Sequence, residues 1–115
     1  MNTESLRDYC LSLPGVTEEQ PFGPDTVVFK VMGKMFLLMP LDEITIKFNA
    51  KCKPEKALEL RDHYPDITPG YHMNKKHWNT VSVTGKIPSD VLFSLVKDSY
   101  ELVVAGLPKL LRESI

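Results

Sequence analysis

The sequence predicts a two-layer α+β domain with a five-stranded antiparallel sheet, in the order α-β-β-β-α-β-β-α. Three observations predict it. Apolar residues recur at helical spacing near both ends of the chain and once in its middle. Between them lie short runs rich in β-branched and aromatic residues, joined by connections too short for a parallel crossover. Strands and helices also come in blocks, which suits helices packed on an antiparallel sheet rather than a doubly wound fold. With 115 residues, there is chain enough for one core, so residues 1–115 are read as a single domain.

The first helix is expected over Glu4 to Ser12. Asn2 or Thr3 can cap it, and Leu6, Tyr9, Cys10 and Leu13 form one apolar stripe before Pro14-Gly15. Val16 to Asp25 reads as a loop. Thr26 to Val31, Met35 to Met39 and Ile44 to Phe48 read as three strands of a meander. The first two are joined through Met32-Gly33-Lys34, where the glycine permits positive φ. In the third, Ile44, Ile46 and Phe48 alternate with Thr45 and Lys47, one face buried and one wet.

A second helix begins near Pro54, carries Ala57, Leu60 and Tyr64 on one face, and ends before Pro65. Ile67 to His72 reads as an irregular fourth strand, interrupted at Pro69-Gly70. Asn74 to His77 is a tight turn, and Asn79 to Val83 alternates as the fifth strand. Pro88-Ser89-Asp90 opens a long helix with Leu92, Leu95, Val96, Ser99, Leu102 and Val103 at helical spacing. Gly106 and Pro108 end it, and a short final turn follows. The second and the long helix are expected to supply most of the helical core, with Leu95 and Val96 buried.

Composition excludes several classes. Lys and Arg number 14 and Asp and Glu 15, a formal net charge of −1, so a polyanion-binding site would have to be local. No apolar run approaches the roughly 20 residues of a membrane span. MNTESLRDY has neither the basic nor the apolar region of a signal peptide, so a cytoplasmic location and two reduced thiols, Cys10 and Cys52, are expected. No G-x-S-x-G, P-loop or G-x-G-x-x-G occurs, and no catalytic residue or cofactor is assigned. His63, His72 and His77 lack metal-ligand spacing, so no metal is expected.

The densest stretch is GYHMNKKHWNTVSVTGK, Gly70 to Lys86, with the sole tryptophan. Its segment HMNKKHWNTV (His72 to Val81), together with PFGPDTVVFKVMGKMF (Pro21 to Phe36) and SYELVVAGLP (Ser99 to Pro108), resembles the MmcQ/YjbR family. The likeness runs along nearly the whole chain. It implies a fold like that of type III secretion chaperones, with the same element order as above. It also implies DNA binding through a "double wing" arrangement, and carries no catalytic residue set.

The stretch supports two readings. In the first, Lys75, Lys76 and Lys86, with His72 and His77, hold phosphates, Asn74 reads an adenine edge, and Tyr71 or Trp78 stacks on an unpaired base. In the second, Asn74 caps a turn, Trp78 anchors the fifth strand in the core, and the lysines are solvated. A second basic cluster, Lys47, Lys51, Lys53 and Lys56, spans the third strand and the start of the second helix, where lysines oppose the helix dipole. The partners expected are therefore DNA or, alternatively, a protein or small ligand on a sheet face or edge, with no membrane role.

Overall fold

The computed structural model describes residues 1–115. In chain order the elements are α1 (Thr3–Ser12), β1 (Val16–Glu19), β2 (Thr26–Val31), β3 (Lys34–Pro40), β4 (Lys47–Lys51), α2 (Pro54–His63), β5 (Ile67–Pro69), β6 (Trp78–Ser82), α3 (Ser89–Ala105) and α4 (Lys109–Glu113). The strands form one sheet in the order β1-β2-β3-β4-β6-β5, and every pairing is antiparallel. The class is the expected α+β, with six strands where the sequence led to five.

The additional strand is β1, in the stretch read as a loop. Its composition hides it: Thr17, Glu18 and Glu19 are exposed, as befits an edge strand that discourages further pairing. Ion pairs hold it on both sides, Glu18 to Arg7 of α1 and Glu19 to Lys30 of β2 at 3.3 Å. The third predicted strand is also displaced. Ile44 is fully exposed, and β4 starts at Lys47. Of the alternating Ile44, Ile46 and Phe48 only Phe48 lies in the strand, because where the strand begins and ends is set by its partner. β4 meets β3 at two positions only, and pairs with β6 along all five of its residues.

The β2–β3 turn tightens to Met32-Gly33, with φ of 49° and 81°, the paired positive values of a two-residue hairpin. β5 is only three residues long, because Pro69 cannot donate to a ladder.

Alternation in the ladders separates two faces. Val27, Phe29, Val31, Leu37, Met39, Phe48, Ala50 and Val81 face the helices and join one core cluster with Leu6 and Cys10 of α1 and Leu92, Leu95, Val96, Tyr100 and Val103 of α3. Leu95 and Val96 are buried as expected. The helical core, however, comes from α3 and α1. α2 adds one fully buried residue, Ala57, with Leu60 and Tyr64 packed at the margin, because it sits over the β5–β6 edge rather than the sheet's centre.

A bulge in β3 shapes the centre. The register passes from Phe29↔Leu37 to Lys30↔Met35, so Phe36 is an extra residue. Phe36 and Leu37 both turn to the helices, and Phe36 meets Tyr100 edge-on at 5.4 Å. Just beyond it β3 and β4 part, and the Ser99 hydroxyl bridges them. It accepts from the Lys51 N–H at 2.7 Å and donates to the Phe36 carbonyl at 2.5 Å.

Both cysteines are free and buried. Burial pushes the Cys10 thiol up to about 12, with Glu18 adding to the rise. Burial also raises Cys52, outweighing nearby Lys56. Nearby lysines and a helix N-terminus would lower a thiol pKa, but at Cys52 burial outweighs them. Neither thiol should react with a thiol reagent at pH 8 in the folded protein, and both should react in denaturant; fast native labelling of Cys52 would contradict its burial. A raised thiol pKa favours the fold below the unfolded value and is lost above it. For Cys10 the loss should run between pH 9.0 and about 12, at up to about 1.4 kcal/mol per pH unit.

Candidate ligand groove on the open face of the sheet

All helices that cover the sheet lie on one side, which leaves the other side open. The ladders place Glu19, Val28, Leu38, Asn49, Thr80 and Thr68 in one row across that open face. Lys47 and Lys51 of β4 and Trp78 and Ser82 of β6 share it by the same alternation.

The segment Gly70–His77 folds back over this face. The Gly70 N–H donates to the Trp78 carbonyl at 2.9 Å, and Asn74 closes the far end by accepting from the backbone of His77 and Trp78. Its side chain accepts from the Lys76 N–H at 2.9 Å. Arg61 of α2 pins the fold-back from the helix side. Its Nε donates to Asn79 Oδ1 at 2.7 Å, and its Nη2 donates to the Lys75 carbonyl and, at 3.3 Å, to the Trp78 carbonyl.

Gly70 is a close-approach position. A Cβ there would lie 2.9 Å from Trp78 Cβ and 3.0 Å from both the Trp78 carbonyl oxygen and Met73 Cβ. None of these can swing away as a side-chain tip would. Gly70→Ala should cost about 1–3 kcal/mol, the range for overpacking, and red-shift Trp78 emission as the covering loop is pushed off the ring. An unchanged denaturant midpoint would show that the loop yields freely.

Under the loop runs a chain of hydrogen bonds. The Tyr71 N–H donates to Thr80 Oγ1 at 3.0 Å, and Thr80 Oγ1 donates to Asn49 Oδ1 at 2.5 Å. Asn49 is 4% exposed, and its Nδ2 has no protein partner. Since no fully enclosed side-chain polar atom lacks a partner, the Nδ2 hydrogens reach open space. That space is a groove of about 420 Å³ lined by Phe22, Thr26, Met35, Leu38, Pro40, Asp42, Glu43, Asn49, Tyr71, His72 and Met73. Phe22 and Tyr71 stand 68% and 70% exposed, the Tyr71 and His72 rings lie 4.0 Å apart, and His72 holds a left-handed φ of 59°. The groove thus offers aromatic walls, an apolar floor, one amide donor aimed inward and two carboxyl groups on the rim. Its lining contains no lysine or arginine.

The residues singled out from sequence separate into groups. Tyr71 and His72 line the groove, and Asn74 is the turn cap. Trp78 is buried at 9% exposure, so it anchors β6 under the loop and presents no stacking face. Lys75 donates to the Gly70 carbonyl at 3.2 Å, while Lys76 and Lys86 are exposed. Lys86 lies four residues past the far end of β6, a strand that by its rise alone carries the chain about 13 Å away from Trp78. His77 is half-buried, its carbonyl accepting from Cys52 N–H at 2.8 Å. The single basic patch is therefore not assembled.

The second cluster divides likewise. Lys47 and Lys51 are on the open face, Lys47 lying 4.0 Å from Glu43. Lys53 and Lys56 line a hollow of about 390 Å³ against α3, with Cys52, Asp98 and Glu101. Lys56 there pairs with Asp98 at 3.2 Å. No three His, Cys, Asp or Glu side chains converge as a metal site would require, and no helix is long and apolar enough to cross a membrane. Sequence reading missed Asn49, Arg61, Phe22 and the Asp42-Glu43 rim. The one local signal was Asn49 itself, a polar residue at a position flanked by Phe48 and Ala50.

Comparison with known proteins places the chain. A family model described as YjbR matches residues 11–102. The Escherichia coli O157:H7 protein YbdF is 43% identical over 106 residues, covering 92% of this chain and 87% of that one. YjbR of Escherichia coli K12 is 31% identical over 109 residues, covering 95% and 92%. Both carry the description uncharacterised. The crystal structure of Deinococcus radiodurans protein DR2400 superposes with a TM-score of 0.92 at 39% identity, covering 98% of this chain and 86% of that one. A Pseudomonas syringae protein gives 0.77 at 31% identity, covering 89% and 98%.

Proposed function

The chain belongs to the YjbR family, and we propose that it is a non-enzymatic binding module that takes a small ligand in the groove on the open face of its sheet. One observation carries this: the inward-facing Nδ2 of a nearly buried asparagine. Its hydrogens open into the groove with no protein partner, so a ligand that displaces the groove's water must supply an acceptor or leave the donor unsatisfied. The Tyr71–Thr80–Asn49 chain also polarises the amide and fixes its orientation. The volume and the mix of apolar walls with few polar groups are those of small-molecule sites.

The test is a titration of ¹⁵N-labelled protein with 4-ethylphenol, a neutral ring bearing one oxygen. Backbone shifts should concentrate at Phe22 to Thr26, Leu38, Asn49 and Gly70 to Met73. Shifts spread over the helix side, or none at millimolar probe, would overturn the reading.

A second reading, DNA binding, has its own supporting observation: Lys47 and Lys51 share the open face with the loop that carries exposed Tyr71 and Lys76. Three phosphate contacts from Lys47, Lys51 and Lys76 would give a log–log salt slope of about −2 to −3. Anisotropy of a labelled duplex and single strand measures it. Weighing on the other side, the groove beside these lysines has carboxyl groups on its rim, which repel phosphate.

A further inference from the structure

Resting on the groove reading, we propose that the groove selects arylalkylamines: small aromatic rings that carry a hydrogen-bond acceptor on the ring and a cationic nitrogen on a short alkyl arm. The groove's lining combines one amide donor with charge of a single sign. Its only buried polar group is the Asn49 amide, which calls for an acceptor. Its only charged lining groups are Asp42 and Glu43, on adjacent residues of the exposed β3–β4 connection. Asp42 makes no ion pair, and Glu43 has only the 4.0 Å approach of Lys47.

The same lining carries Phe22 and Tyr71, two large aromatic side chains left mostly exposed. Exposed aromatics beside a cavity give a ring something to stack on, and their faces also attract a cation. A neutral ring with an acceptor satisfies the amide and the aromatic walls. An amine satisfies the rim as well, whereas an acid in the same pose meets two carboxyl groups. The preference therefore follows from sign, with no change of shape.

Three probes share one phenol ring and differ in charge: tyramine, 4-ethylphenol and 3-(4-hydroxyphenyl)propionate. Affinities from titration of groove amide shifts should rank in that order. The amine should exceed the acid by roughly tenfold at low salt, since each rim charge is solvent-exposed and contributes modestly. The double variant Asp42→Asn/Glu43→Gln should remove the difference in affinity between tyramine and 4-ethylphenol. Both positions are exposed, so the variant should keep the wild-type melting curve. An acid that binds as tightly as the amine, or a preference that survives the double variant, overturns the proposal while leaving the groove reading intact. Absence of groove shifts with all three probes overturns both.

Discussion

Leu95→Ala should lower the unfolding free energy by about 2–5 kcal/mol, the measured range for buried large-to-small changes. Leu95 lies on the inner stripe of α3 with Leu92, Val96, Ser99 and Val103, all buried. α3 is the main helical layer on the sheet, so the lost methyl groups face Ile67, Val81 and Ala50 rather than solvent. Two terms add. Transfer of the removed carbons is lost, and the sheet below can only partly relax into the gap. A denaturant melt measures the effect through the midpoint at constant slope. A change under about 1 kcal/mol, a size typical of surface substitutions, would mean α3 turns a different face to the sheet.

The second large effect should come from a single hydroxyl. Ser99→Ala should cost about 2–4 kcal/mol, although it removes one atom. Ser99 is fully buried and stands where the next β3–β4 pair would have formed. Its Oγ serves the Lys51 N–H and the Phe36 carbonyl at once. Without it two backbone groups lose their partner in the interior, and each unsatisfied group costs about 1–3 kcal/mol. Ser99→Thr keeps the hydroxyl and separates the two contributions, since it tests crowding with hydrogen bonding intact. If Ser99→Ala melts with wild-type stability, the strands close the gap by pairing directly, and the bridge is dispensable.

Ser99 also shows what sequence could and could not reveal. Its place on the apolar stripe of α3 was legible from spacing, but its partners were not, because they lie 48 and 63 residues away. The same division holds throughout. The helices, the β2–β3 hairpin and the α+β class follow from periodicity and turn chemistry within short windows. β1 was missed because an edge strand is polar by necessity. β4 was misplaced because its ladder with β6, across α2, sets its ends.

The site followed the same rule. Gly70–Lys86 drew attention through its density of functional groups, and Tyr71 and His72 do line the groove. Yet Lys86 lies beyond β6 from Lys75 and Lys76, and Trp78 is covered by the fold-back. A basic patch read along the chain assumes that neighbours in sequence share a surface. Here a fold-back and a five-residue strand separate them. The groove's donor, Asn49, comes from β4 in the middle of the sheet and its acidic rim from the β3–β4 connection, a juxtaposition no local motif announces.

The most direct measurement on the central claim is the side-chain amide of Asn49. Its two Nδ2 proton signals can be assigned through Asn49→Asp, which removes them. On saturation with 4-ethylphenol both should shift, the hydrogen-bonded proton downfield, and their exchange with water should slow. Unmoved Asn49 signals, with bound probe detected elsewhere on the protein, would contradict the account.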